Sequence, residues 1–115
     1  MFNITAVGRL GDDPQTQSVN TANGSMDVAR FSLAVDSGYD SKKNERRTSW
    51  VRCTVWGKPA ERATKFLHKG DQVTVSGKGH HEEYERKDGN KGYSIELKVD
   101  DFSLPPKPKA DDDAI

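Results

Sequence analysis

Apolar and polar residues alternate along most of this 115-residue chain, and the alternation restricts it to folds built from strands. Successive side chains of a strand point to opposite faces, so a period of two indicates a strand with one buried face. Five stretches have this pattern, at about residues 2–9, 27–36, 47–57, 71–79 and 93–102. Polar segments connect them: a loop over 15–26 with a turn at Asn23-Gly24, a loop over 37–47, and a charged hairpin arm over 80–93 that turns at Asp88-Gly89.

One segment has a different period, about 3.6 residues, and lies between Pro59 and Gly70. Its apolar residues, predicted to share one face, are Ala60, Ala63, Phe66 and Leu67. Proline suits the first turn of a helix and glycine suits its end. The sequence therefore predicts a short helix between the third and fourth strands.

Five strands with a single helix after the third are typical of the OB-fold, an all-β five-stranded Greek-key barrel. An SH3-like barrel has a similar sheet pattern, but the position of the helix favours the OB-fold. We assign residues 1–102 to this domain. The remaining residues, 103–115, contain three prolines and three consecutive aspartates, Asp111, Asp112 and Asp113, and are predicted to form a disordered acidic tail.

The third strand carries the strongest functional signal. Trp50, Arg52 and Trp56 are separated by even numbers of residues, so they share the face opposite Val51, Cys53 and Val55. Aromatic rings along a basic groove can stack on the bases of a single strand without reading its sequence. The alternative interpretation is that both indoles are buried against a neighbouring subunit or the helix.

Charge supports the first interpretation once its position is considered. The chain has 18 basic and 18 acidic residues, and a net charge of zero argues against a nucleic-acid ligand. Residues 42–69, however, contain nine lysines and arginines against two glutamates, whereas residues 100–115 contain five aspartates against two lysines. Positive charge is thus concentrated around the aromatic strand.

Enzymatic alternatives have few residues to support them. His68, His80 and His81 have neither metal-ligand nor nucleophile spacing, and a metal site at residues 80–83 requires that segment to be a loop. Cys53 is the only cysteine, so an internal disulfide is excluded. Acidic residues suited to a nuclease lie in or beside predicted turns, where aspartate is expected anyway. We expect no catalysis, no cofactor and no metal.

Four segments, AVGRLGDDP, FSLAVDSGY, TSWVRCTVWGKPAE and FLHKGDQVTVSGK, resemble bacterial-type single-stranded DNA-binding proteins in order and spacing, over about residues 4–102. The resemblance implies an OB-fold, usually tetrameric. It implies base stacking by Trp50, Trp56, Tyr39 and Tyr84. It also implies phosphate contacts by basic residues, which we assign to Arg30, Lys42, Lys43, Arg46, Arg47, Arg52, Lys58 and Lys69.

The chain departs from the family pattern at several positions, which is compatible with a phage-, plasmid- or otherwise divergent member. Tyr39 and Tyr84 replace tryptophans, which predicts weaker stacking, and residues 80–83 are histidines and glutamates where family members carry basic residues. The tip, Asp111, Asp112, Asp113, Ala114 and Ile115, resembles the partner-binding acidic tip of the family but lacks its proline and phenylalanine.

The predicted function is sequence-independent binding and protection of single-stranded DNA in replication, recombination and repair. The predicted partners are the DNA, further copies of the chain, and replication and repair proteins bound through the tail. The alternative is an OB-fold adaptor of the replication machinery that binds protein with the same face. No apolar run is long enough to cross a bilayer, and no signal peptide is visible, so a cytoplasmic protein is expected.

Overall fold

The computed structural model describes residues 2–104, which form six strands and one helix. The strands are β1 (Phe2–Leu10), β2 (Gln15–Thr21), β3 (Gly24–Asp40), β4 (Glu45–Trp56), β5 (Gln72–Glu85) and β6 (Lys91–Phe102), and the helix α1 (Lys58–Phe66) lies between β4 and β5.

Five of the strands close into a barrel, in the order β1-β3-β4-β6-β5 and back to β1. The pairing of β4 with β6 is parallel and the others are antiparallel. The predicted all-β, five-stranded OB-fold with a helix after the third barrel strand is confirmed. The pairing of β1 with β3 that closes the barrel involves only the end of β1, where Arg9 lies opposite Ala34 and Leu10 lies opposite Leu33.

The barrel core comes from the apolar residues that alternation placed on the inner face of each strand. Leu33, Val55, Val75 and Leu97 have at most 1% of their surface exposed. The helix packs on β3 and β4 through Ala60 and Ala63, its two buried residues. Phe66 is predicted to share their face but is 43% exposed. The next buried residue after Ala63 is Leu67, which follows the end of the helix.

The sixth strand, β2, contradicts the predicted loop over 15–26. It pairs along its whole length with an extension of β3, from Gln15 opposite Arg30 to Thr21 opposite Gly24. Nearly all of its side chains are exposed, so it has no inner face and no alternation for the sequence to reveal. Its turn is at Ala22 and Asn23, one residue before the predicted position, and Gly24 has a φ of 113°.

The predicted loop over 37–47 is also largely strand, since β3 continues to Asp40 and β4 begins at Glu45. The hairpin arm, residues 80–93, is the paired continuation of β5 and β6 beyond the barrel. It turns between Arg86 and Asn90, as predicted, and Gly89 has a φ of 85°.

Candidate nucleic-acid interface

The outer face of β4 carries the predicted aromatic and basic side chains. Val51, Cys53 and Val55 are buried, which directs Trp50 and Arg52 away from the core. Trp50 is 53% exposed, an unusual state for an indole that packing alone would hide.

A cleft opens beside Trp50 where β4 and β6 separate. The two strands pair in parallel from Val51 opposite Ile95 to Thr54 opposite Lys98 and diverge before that point. The cleft, here called the arm cleft, measures about 640 Å³. Its lining residues are Ser32, Thr48, Ser49, Trp50, Arg52, His81, Tyr84, Arg86, Tyr93, Ser94 and Ile95. Among these described residues there are two arginines and no carboxylate.

Two of the aromatic rings in the arm cleft lie on glycines. A Cβ atom on Gly11 would fall 2.6 Å from the Trp50 ring, and one on Gly92, opposite Tyr84 in the hairpin arm, would overlap the Tyr84 ring. Both distances are far below van der Waals contact, so each ring occupies the volume that a side chain would need. The rings of Trp50 and Tyr84 can therefore occupy these positions because residues 11 and 92 are glycines.

Arg52 lies beside the Tyr84 ring and has an acidic partner. Its guanidinium carbon is 6.0 Å from the centre of the Tyr84 ring, at the outer limit for a cation–π contact. Its Nη1 is 3.5 Å from a carboxylate oxygen of Glu96 on β6. Arg52 is 61% exposed, so the ion pair is weak and the guanidinium remains accessible to a phosphate.

A second groove, here called the turn groove, lies on the other side of Trp50 and measures about 610 Å³. Its lining residues are Gly11, Asp12, Asp13, Gln15, Arg30, Phe31, Ser32, Trp50, Arg52, Cys53, Thr54 and Glu96. The backbone N–H of Lys69 donates to Asp13 Oδ1 at 2.8 Å, and Arg30 donates to Gln17 at 2.8 Å. The lining of this groove includes three carboxylates and two arginines.

Other predicted stacking residues lie apart from these two grooves. Trp56 is half-buried at the end of β4, opposite Val28, and lines neither groove. Tyr39 is 56% exposed near the end of β3, and its hydroxyl donates to Asn44 in the turn before β4. Lys58 is exposed at the first residue of α1, two residues after Trp56.

The predicted basic residues of the β3–β4 hairpin form ion pairs. Arg46 contacts Asp36 at 2.8 Å, and Arg47 contacts the buried carboxylate of Asp40 at 2.9 Å. The hydrogen bond from Arg47, joined by backbone N–H donors of Lys42 and Lys43, lowers the pKa of Asp40 below its ordinary value. Asp40 therefore remains charged and fixes this turn near neutral pH.

The remaining candidate groups have structural surroundings. Burial raises the pKa of the Cys53 thiol to about 12, with a smaller contribution from the negative charge of Glu96. His80 contacts Glu82 at 2.8 Å. Within residues 2–104, no three His, Cys, Asp or Glu side chains form a group suited to a metal ion. Nor is there, in that part of the chain, a helix with the length and apolarity to span a membrane.

The arm cleft also contains residues that the sequence interpretation missed. His81, Arg86 and Tyr93 line it together with Trp50. Alternation predicts Tyr93 on the inner face of the last strand, and this parity is the only sequence signal for it. The tail residues 111–115 and their predicted partner contacts lie outside the described residues.

Comparison with known proteins gives a consistent result. The model of the single-strand binding protein family matches residues 1–105. The chain is 36% identical over 105 residues to a single-stranded DNA-binding protein of Lactiplantibacillus plantarum, covering 90% of this chain and 51% of the relative. It is 37% identical over 97 residues to single-stranded DNA-binding protein 2 of Listeria innocua, covering 84% and 59%. It is 35% identical over 97 residues to a single-stranded DNA-binding protein of Bacillus cereus, covering 84% of this chain and 55% of the relative. The chain thus spans little more than half the length of these relatives.

Proposed function

The chain belongs to the single-strand binding protein family, and from this we propose that it binds single-stranded DNA without sequence preference and without catalysis. The observation that carries the proposal is the arm cleft, where the exposed rings of Trp50 and Tyr84 lie together with Arg52 and no Asp or Glu is among the lining residues.

Base stacking supplies the affinity in this proposal. Every base has a π-face, so an exposed ring binds any base, with roughly 1–3 kcal/mol per stacked base. The guanidiniums of Arg52 and Arg86 lie in the same cleft and can donate hydrogen bonds to the phosphates between successive bases. Neither group reads a base edge, which is why the binding is independent of sequence.

We propose further that the DNA-bound protein acts in replication, recombination and repair. In this proposal, several copies of the chain assemble on one strand, and the acidic residues 111–115 contact other proteins. The positive segment 42–69 and the acidic tail have opposite charge, so the tail also competes with DNA for the basic surface.

Tryptophan fluorescence tests the central proposal. The chain has two tryptophans, so Trp56→Phe leaves Trp50 as the only indole. Oligo-dT should quench the emission of this variant strongly, and added salt should reverse the quenching. Trp50→Phe, which keeps Trp56, is the matched control and should show much weaker quenching. If neither the wild type nor the Trp56→Phe variant responds, the proposal is wrong and an adaptor that binds protein becomes the better explanation.

Removing residues 111–115 tests the role of the tail. The truncated chain should bind oligo-dT as tightly as the full chain, or more tightly at low salt, because a competing negative charge is gone. Weaker binding after truncation would contradict competition between tail and DNA.

A further inference from the structure

The inner side of the arm cleft holds a stacked aromatic pair. The rings of His81 and Tyr93 have their centres 4.9 Å apart and their planes at 16°. His81 is on β5 and Tyr93 is on β6, and neither is among the family-derived contacts described above. Both line the cleft that also contains Trp50, Tyr84 and Arg52.

The fold explains why this pair is accessible. Tyr93, Ile95 and Leu97 share the inner face of β6, and their burial decreases along the strand in the direction of the arm. Leu97 is 1% exposed within the barrel, Ile95 is half-buried, and Tyr93 is 56% exposed. The arm extends beyond the barrel, so the inner face of the strands continues there without a core to cover it.

The surroundings of the pair favour a nucleobase as the occupant. Arg52 and Arg86 are the charged residues among the lining, and Ser49, Ser94 and Thr48 supply hydroxyl groups. A ring backed by a second ring is held in place, so it loses little freedom when a base stacks on it. Two carboxylates beside this lining have partners: Glu83, opposite Tyr93 in the arm, is paired with Lys91 at 3.1 Å, and Glu96 is 3.5 Å from Arg52.

We propose that Tyr93, held by His81, is a further base-stacking position, and that a single strand passes through the arm cleft from the outer face of β4 to the inner face of the arm. This inference rests on the proposed function, because it extends the same binding path. The strand contacts Trp50 and Tyr84 on the outer side and Tyr93 on the inner side of the gap between β4 and β6.

A relocated tryptophan tests this directly. In a background of Trp50→Phe and Trp56→Phe, which retains a ring at both positions, Tyr93→Trp places the only indole on the inner side of the cleft. Oligo-dT should quench its emission. Phe66→Trp in the same background is the control, because Phe66 is 43% exposed on the helix and lines neither groove. Equal responses at the two positions, or none at residue 93, would overturn the inference.

Affinity measurements give a second test in the otherwise unchanged chain. Tyr93→Ala should weaken oligo-dT binding by at least about fivefold, whereas Tyr93→Phe should bind nearly normally. Light scattering on each variant identifies the competing occupant, a second copy of the chain. If Tyr93→Ala changes the assembly and leaves the affinity per chain unaltered, the ring packs against another copy and the inference is wrong.

The two proposals fail in different ways. A wild type that does not bind oligo-dT refutes the proposed function. A wild type that binds, is weakened by Trp50→Ala and is unaffected by Tyr93→Ala refutes only the path through the cleft.

Discussion

The arm cleft and the turn groove share Trp50 and Arg52 and are almost equal in volume, about 640 and 610 Å³, yet they differ in charge. The arm cleft has two arginines and no carboxylate among its described lining. The turn groove has two arginines and the carboxylates of Asp12, Asp13 and Glu96. Volume therefore does not distinguish the two sides of Trp50, whereas electrostatics favours the arm cleft for a polyanion.

Two unit charges 4 Å apart interact by about 1 kcal/mol in water and more near a protein surface. One carboxylate beside a phosphate can thus offset much of the energy of a stacked base. The comparison predicts that DNA affinity depends on the arm cleft and that the acids of the turn groove oppose it.

The largest expected effect comes from removing the ring that both grooves share. Trp50→Ala should weaken binding of oligo-dT by roughly 5- to 150-fold, the loss of one stacked base. Trp50→Phe should recover most of the affinity, because it restores an aromatic face. Equilibrium titration measures the loss, and circular dichroism establishes that both variants fold. Undiminished binding by a folded Trp50→Ala variant would remove the stacking role from both grooves.

Substitutions of two arginines distinguish which groove binds the DNA. Arg52 lines both, whereas Arg30 lines only the turn groove and donates to Gln17. Arg52→Ala should lower the affinity for single-stranded DNA of any sequence. It should also reduce the slope of log K against log salt by about 1, as expected for one lost phosphate contact. Arg30→Ala should leave the slope nearly unchanged. The reverse result would place the strand in the turn groove.

Neutralising an acid of the turn groove should have a smaller and opposite effect. Glu96→Gln releases Arg52 from its ion pair and removes a negative charge, so affinity should rise by about 0.2–1 kcal/mol at low salt, as for other exposed ion pairs. The increase should shrink as salt is added. Glu61→Gln, on the exposed face of α1, is the control for a general change of net charge. Weaker binding by Glu96→Gln would mean that Glu96 positions Arg52 for its ligand.

The smallest effect concerns the floor of the turn groove. Cys53 lies there but is 1% exposed, and its thiol pKa is raised to about 12. At pH 8 the thiol should react with a thiol reagent only when the protein unfolds, with or without oligo-dT. Because the folded pKa lies above the unfolded value of 9.0, the stability that depends on the protonated thiol is full below pH 9 and decreases above it. Rapid reaction of the native protein would show that the Cys53 thiol is accessible from the turn groove without unfolding.

The barrel could be predicted from the sequence because each of its five strands buries one face, which leaves a period of two in the residues. The strand β2 could not, since its side chains are exposed and only main-chain hydrogen bonds hold it to β3. The same reasoning applies to the ends of β3 and β4, which extend into residues that look like a polar loop.

The candidate site was predictable to the same extent. Parity along β4 correctly gave the exposed side of Trp50 and Arg52, but parity alone does not show which exposed residues meet. Trp56 has the same parity as Trp50 and lines neither groove, whereas Tyr93 has inner parity and is exposed because the arm leaves the barrel. Such positions depend on where neighbouring strands end, and this is a tertiary property.

The glycines beneath Trp50 and Tyr84 have a consequence for variation in this protein. Any side chain at residue 11 or 92 must displace the ring above it. A substitution of either glycine is therefore coupled to a substitution of its aromatic partner. A tolerated change at residue 92 should require a smaller residue at 84 in the same sequence, and residues 11 and 50 should covary in the same way. Gly92→Ala therefore offers a route to a misplaced Tyr84 in which every residue of the arm cleft keeps its identity.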